Sequence, residues 1–229
     1  MMFDTQSLLH GNWYKYTAIA LILYTLAAGL LMPVPAMPIL HETIRNLFYH
    51  VPMWFGMLWI LLLSFVYSIR YLRSFDARYD IAAAATAQVG ILYGLMGLTT
   101  GMIWAKFTWG ELWSNDPKQM ASAIGMLIYF AYFILRNSIE DRDKRAKIAA
   151  VYNIFAYCLL IPLLFVIPRL TDSLHPGNGG NPGFSPYDLD NTMRLVFYPA
   201  NIGWICLSVW LGSLLYRLQL IQERREAAQ

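Results

Sequence analysis

His50 and His175 are the residues in this chain with the most specific chemistry to offer, because a neutral imidazole is a good ligand for iron. There are four histidines in 229 residues. Between His50 and His175 lies the stretch 104–116, Trp-Ala-Lys-Phe-Thr-Trp-Gly-Glu-Leu-Trp-Ser-Asn-Asp. It gathers Trp104, Trp109 and Trp113 beside a lone carboxylate, Asp116. Flat aromatic faces suit a flat apolar ligand. A histidine from each of two loops could fill both axial positions of a haem iron, with the macrocycle between the loops and the indoles against its face or edge.

Plainer readings compete for each residue. Tryptophans at helix ends form the interfacial belt of membrane proteins, and Trp13, Trp54, Trp59, Trp204 and Trp210 are read as no more than that. Loop histidines are often solvated, and His41 is left as a loop residue. Arg45 and Arg194 fall on the same face as His50 and carry the donor fork that suits a haem propionate; both could equally mark helix ends.

The elements that must position these groups are membrane helices. The chain is 58% hydrophobic and 14% charged, with a mean hydropathy of +0.43, well outside the range of soluble domains. Six apolar segments, roughly 16–32, 52–70, 81–104, 119–136, 148–168 and 195–216, each have the length that crosses a hydrocarbon layer as a helix. The expected fold is an all-α integral membrane protein, a six-transmembrane-helix bundle forming a single membrane domain over 1–229. Most basic residues fall on one side: Lys15; Arg70, Arg73 and Arg78; Arg136, Arg142, Lys144, Arg145 and Lys147; Arg217, Arg224 and Arg225. The other side holds Arg45, Lys106, Lys118, Arg169 and Arg194. The positive-inside rule then puts both termini in the cytoplasm, with the tryptophan-rich loop 104–118 and the loop 169–194 outside.

Several other features narrow the function. The basic residues flank apolar spans, so nucleic acid is not an expected partner; membrane lipid is. Cys158 and Cys206 lie inside apolar runs and read as buried hydrophobes. No phosphate-binding glycine loop is present. Gly90, Gly94, Gly97 and Gly101 have the spacing that lets helices approach closely in lipid and are read as packing. The 171–192 loop is rich in Gly, Pro and Asn and is expected to be mobile unless something ties it down; on that ground His175 is the better candidate for an imidazole that lets go. The mixed-charge run Glu140–Arg145 could dock a cytoplasmic subunit but reads more simply as a solvated helix end.

The order Arg45…His50-Val51-Pro52, Thr100-Gly101…Trp104, Trp109-Gly110…Trp113…Asp116 and Leu174-His175 resembles the cytochrome c maturation protein C family, also called haem exporter protein C, and more broadly the larger cytochrome c synthases. The resemblance covers about 45–195. It implies b-type, non-covalent haem held at the periplasmic face of a bacterial inner membrane, with His50 and His175 as axial ligands and Trp109, Gly110, Trp113 and Asp116 as the core of the loop. It implies delivery to a membrane-tethered haem chaperone, with a permease and a cytoplasmic ATPase as further partners, and no enzymatic role in the strict sense. One departure stands out: the family motif WGxxWxWD has Trp immediately before the Asp, where this chain has Asn115. Two alternatives stay open. A haem-translocating permease subunit of an ABC-type exporter is disfavoured because no span carries a central charge. A b-type electron-transfer cytochrome is disfavoured because no histidine lies mid-span.

Overall fold

The computed structural model describes residues 11–175 and 189–226. Within them the chain is helical, with no strand. Six long helices follow in order: α1 (Trp13–Leu31), α2 (Leu47–Ser74), α3 (Ala77–Trp109), α4 (Pro117–Asn137), α5 (Arg142–Phe165) and α6 (Asn191–Glu226). All six are long and apolar enough to cross a membrane. Short 3₁₀ turns at His41–Asn46 and Ile167–Arg169 lead into α2 and follow α5. His10 and the Gly/Pro-rich stretch 176–188, including the expected mobility of that loop, lie outside the described residues.

The helices begin and end where local chemistry says they should. Asp76, Asp116 and Asp141 each cap a helix, accepting from the backbone N–H of Arg78, Lys118 and Lys144 respectively. Pro117 occupies the first helical position of α4, where its missing N–H costs nothing. Asp141 in the mixed-charge run caps α5, so that run is a helix start. At the other end of α3, Gly110 adopts φ +88°, the left-handed conformation that terminates a helix.

Two boundaries differ from the hydropathy pattern, and both move site residues. α2 starts at Leu47 rather than near 52, so His50 and Pro52 lie inside the helix. α3 runs on to Trp109, so Trp104 and Trp109 stand on helix rather than loop and only a short turn separates α3 from α4. At 33 residues, α3 is about 50 Å long, well beyond a hydrocarbon core of about 30 Å. Hydropathy reports the immersed portion of a helix, not its full length.

α2 and α3 form the closest pair, joined by only Phe75 and Asp76. Their packing follows from the glycine stripe. A Cβ on Gly90 would sit 2.3 Å from Leu61, on Gly94 3.0 Å from Met57, on Gly97 2.8 Å from Trp54 and on Gly101 2.6 Å from His50, all on α2. In lipid there is no hydrophobic driving force between helices, so such close contact supplies the attraction. The central core gathers Met57, Ile60, Leu61, Tyr93, Met126, Tyr129 and Leu160 from α2, α3, α4 and α5. Trp204 packs edge-on against Tyr93 beside this core, 5.9 Å between ring centroids, so it is a packing residue rather than part of a belt. α1 lies outermost, against α6; Tyr14 approaches Ser213, so the start of α1 and the later part of α6 share one end of the bundle.

Two polar devices lock the helices. Asn153 on α5 is fully buried and donates to Ser64 and Ser68 on α2, at 2.7 and 2.8 Å. Arg136 on α4 grips Asp80 on α3 with two hydrogen bonds of 2.6 Å. That pair closes the end of the bundle remote from His50.

Candidate functional site

At the end where α3 stops and α4 starts, α2, α3, α4, the end of α5 and the Leu174–His175 segment enclose a cavity of about 430 Å³. The walls are mostly apolar: Val51, Phe55, Leu58, Leu98, Met102, Leu164 and Phe165 among others. Into this setting the fold brings His50, His175, Trp104 and Trp109. The volume lies in the range of small-molecule and cofactor pockets.

Each imidazole has a defined support. His50 is boxed edge-on by Trp54 and Trp104, with centroids 6.3 and 6.0 Å away. Its Nδ1 lies 3.1 Å from Thr100 Oγ1. That hydroxyl has a single proton, which it gives back to its own helix at Met96 O, 2.8 Å, or Gly97 O, 3.1 Å. Thr100 Oγ1 therefore accepts from His50, Nδ1 carries the ring proton, and Nε2 keeps its lone pair. Trp104 is itself fixed, donating from Nε1 to Thr43 at 3.1 Å.

His175 reaches the same state by another route. Its Nδ1 is 2.8 Å from Asp116 Oδ1, and Trp109 stands edge-on to its ring with centroids 4.9 Å apart. The Asp116 carboxylate also accepts from Leu174 N–H at 2.7 Å, from the Ser173 hydroxyl at 2.8 Å and from Lys118 N–H at 2.9 Å. Burial alone would raise this carboxyl, but hydrogen bonds from His175, the Leu174 N–H and the Ser173 hydroxyl outweigh it and hold the group well below the usual carboxylate range. An ionised Asp116 only accepts, so His175 Nδ1 donates and Nε2 is again left with a lone pair. The described start of that loop is thus tied down at Ser173, Leu174 and His175, the exception under which the sequence reading did not expect it to move.

The remaining expected site residues sit elsewhere. Arg45 does not line the cavity; its guanidinium donates to Gly29 O and Met32 O at the end of α1 and pairs with Glu42. Arg194 lies in the first turn of α6, off the lining, with its Nε buried. Gly110 serves as the turn that ends α3, with open space around it. Trp113 lies outside the lining and donates from Nε1 to Asn115 Oδ1 at 2.9 Å. Asn115 has φ +56°, a left-handed backbone that Asn tolerates better than an aromatic residue does. Asp116 lies outside the lining and reaches the cavity only by its contact with His175.

Sequence reading missed several wall residues. Trp54, assigned to the belt, lines the cavity, and so do Gly97, Gly101 and Lys118; Thr100 stands just behind His50. The signal was available as spacing. His50 and Trp54 are four apart, and Gly97, Gly101 and Trp104 fall at i, i+4 and i+7, one face of a helix. The glycines are packing residues, as expected, but what packs against Gly97 and Gly101 is the site itself.

Six helices of membrane-crossing length around an apolar, indole-walled cavity lined by two imidazoles define a polytopic membrane protein. Over residues 2–229 the chain matches the model of the family described as Heme exporter protein C, and it belongs to that family. Among similar proteins are the Heme exporter protein C of Haemophilus influenzae, 28% identical over 62% of this chain and 57% of that protein, and that of Rhodobacter capsulatus, 27% identical over 91% of this chain and 84% of that protein. The chain spans little more than half the length of the Haemophilus relative. A shorter match, 40% identical over 33% of this chain and 24% of the relative, is to the cytochrome c biogenesis protein CcsA of Prochlorococcus marinus.

Proposed function

We propose that this protein holds haem between His50 and His175 and hands it on during cytochrome c biogenesis. One observation carries the reading: two imidazoles from separate segments line one apolar, tryptophan-walled cavity, each with Nδ1 engaged by a fixed acceptor and Nε2 left to ligate. Trp104, Trp109 and Trp54 exclude water and orient the ring. Lys118 is the cation in the wall suited to a propionate, in place of Arg45 and Arg194. Neither cysteine lines the cavity, which agrees with non-covalent, b-type binding. The names of the relatives support haem as cargo and cytochrome c biogenesis as its destination.

On this reading both termini are cytoplasmic and the cavity opens on the periplasmic side of a bacterial inner membrane, an orientation that the distribution of Lys and Arg supports. The protein is a haem-delivery component rather than an enzyme. It works with a membrane-tethered haem chaperone as acceptor and with a permease and a cytoplasmic ATPase as further subunits. Absorption spectroscopy of the detergent-purified protein beside His50→Ala and His175→Ala tests this. The wild type is expected to show a six-coordinate low-spin haem spectrum that each variant loses. Spectra unchanged in both variants would exclude bis-imidazole binding.

A further inference from the structure

The two imidazoles are not supported alike, and the difference has chemical consequences. His175 Nδ1 donates to a carboxylate at 2.8 Å, whereas His50 Nδ1 donates to a neutral hydroxyl at 3.1 Å. Charge-assisted hydrogen bonds are roughly twice as strong as neutral ones. A carboxylate behind a histidine draws on its N–H proton and makes the opposite nitrogen a more basic, stronger ligand. Asp116 cannot easily turn away, because Leu174, Ser173 and Lys118 hold both of its oxygens. Thr100 offers His50 only a lone pair, since its own proton is committed to the carbonyls of Met96 and Gly97.

Geometry reinforces the contrast. His50 sits within α2, boxed by Trp54, Trp104 and the Gly101 backbone, so it keeps its place whether or not it is ligating. His175 is bound to its neighbours through Asp116, so drawing it away disturbs the whole Ser173–His175 segment. We infer that, within the bis-imidazole reading on which this rests, His175 is the retained ligand and His50 the exchangeable one, with Asp116 and Thr100 as the positioning residues that set the order. This reverses the order expected from a mobile His175 loop. An incoming ligand replaces His50, and His175 holds the cargo until then.

The test uses the full-length, haem-loaded, reduced protein with carbon monoxide as the incoming ligand. Carbon monoxide displaces the weaker imidazole, and flash photolysis leaves the retained one bound long enough for time-resolved resonance Raman to read its iron–histidine stretch. Asp116→Asn is expected to lower that frequency and Thr100→Val to leave it unchanged. A shift with Thr100→Val and none with Asp116→Asn, or no shift with either, would overturn the order. Should Asp116→Asn fail to fold or load, carbon monoxide affinity of Thr100→Val decides. A weakened His50 is expected to raise it about three- to tenfold, the equivalent of one hydrogen bond, and an unchanged affinity counts against the assignment. A wild-type spectrum without imidazole ligation would sink the parent reading instead, and the two failures are told apart by that spectrum.

Discussion

Replacing Gly101 with Ala puts a methyl group where the structure has room for none. Its Cβ would lie 2.6 Å from His50 Cε1, whereas ordinary contact begins at 3.4 Å, so the imidazole must retreat by about 0.8 Å. The ring has little space for that, being held between Trp54 and Trp104 and tied to Thr100. Functional side chains tolerate displacement of about 0.5 Å before geometry fails. Overpacking costs about 1–3 kcal/mol, and Ala for Gly inside a helix returns about 1 kcal/mol. The net change in stability is therefore small, roughly 0–2 kcal/mol. Haem affinity, in contrast, is expected to fall about 10- to 100-fold, as when the orientation of a metal ligand is lost. Haem titration followed at the Soret band, alongside thermal unfolding of the apo-protein, separates the two quantities. Gly90→Ala is the control, because its Cβ strikes the flexible end of Leu61, away from the cavity; it is expected to alter the melting temperature and not the affinity. Wild-type affinity in Gly101→Ala, or an equal loss in Gly90→Ala, would refute the claim that α3 seats His50.

Other perturbations follow from the same geometry. The Asp116 carboxyl is depressed in the folded protein, so its contribution to docking the Ser173–His175 segment is complete above the ordinary carboxyl value of 3.8 and is lost as pH falls below it; the protection factor of the Leu174 amide, its exchange rate relative to the intrinsic rate at the same pH, should be constant near neutrality and fall only in acid, and a fall at neutral pH would contradict it. Arg136→Ala strands Asp80 as a buried, unpaired charge and is expected to cost about 3–5 kcal/mol without altering the haem spectrum, whereas Asp80→Leu with Arg136→Met recovers most of the loss in a denaturant melt. Asn153→Ala removes two interhelical hydrogen bonds in the apolar interior and should cost about 1–2 kcal/mol by the same assay. Trp54→Ala is expected to weaken haem binding with little effect on folding, since Trp54 lines the cavity; an interfacial belt role would give no change in the titration.

Membrane class, helix number and the clustering of two histidines with Trp104 and Trp109 were legible in the sequence because each leaves a local mark: long uncharged runs, or a rare residue type repeated over a few positions. What escaped depends on depth and direction. The run of apolar residues marks lipid immersion, so it could not show that α3 extends through Trp109 or that α2 begins before His50. Arg45 carries a donor fork that fits a propionate or a helix C-terminus equally well, and only the position of Gly29 O and Met32 O decided between them. Trp54 was hidden in an apolar segment, where one more aromatic residue is unremarked. Asp116 was legible as part of the cluster; that it grips His175 across 59 positions of sequence required the fold.

The central claim is that His50 and His175 present Nε2 from opposite sides to one haem iron. A density map of the haem-loaded protein at side-chain resolution tests it most directly. The account requires iron within bonding distance of both Nε2 atoms, with the macrocycle against Trp104 and Trp109 and each Nδ1 still on Thr100 and Asp116. Haem bound at any other place, ligation through Nδ1, or a ligand other than these two histidines would contradict it.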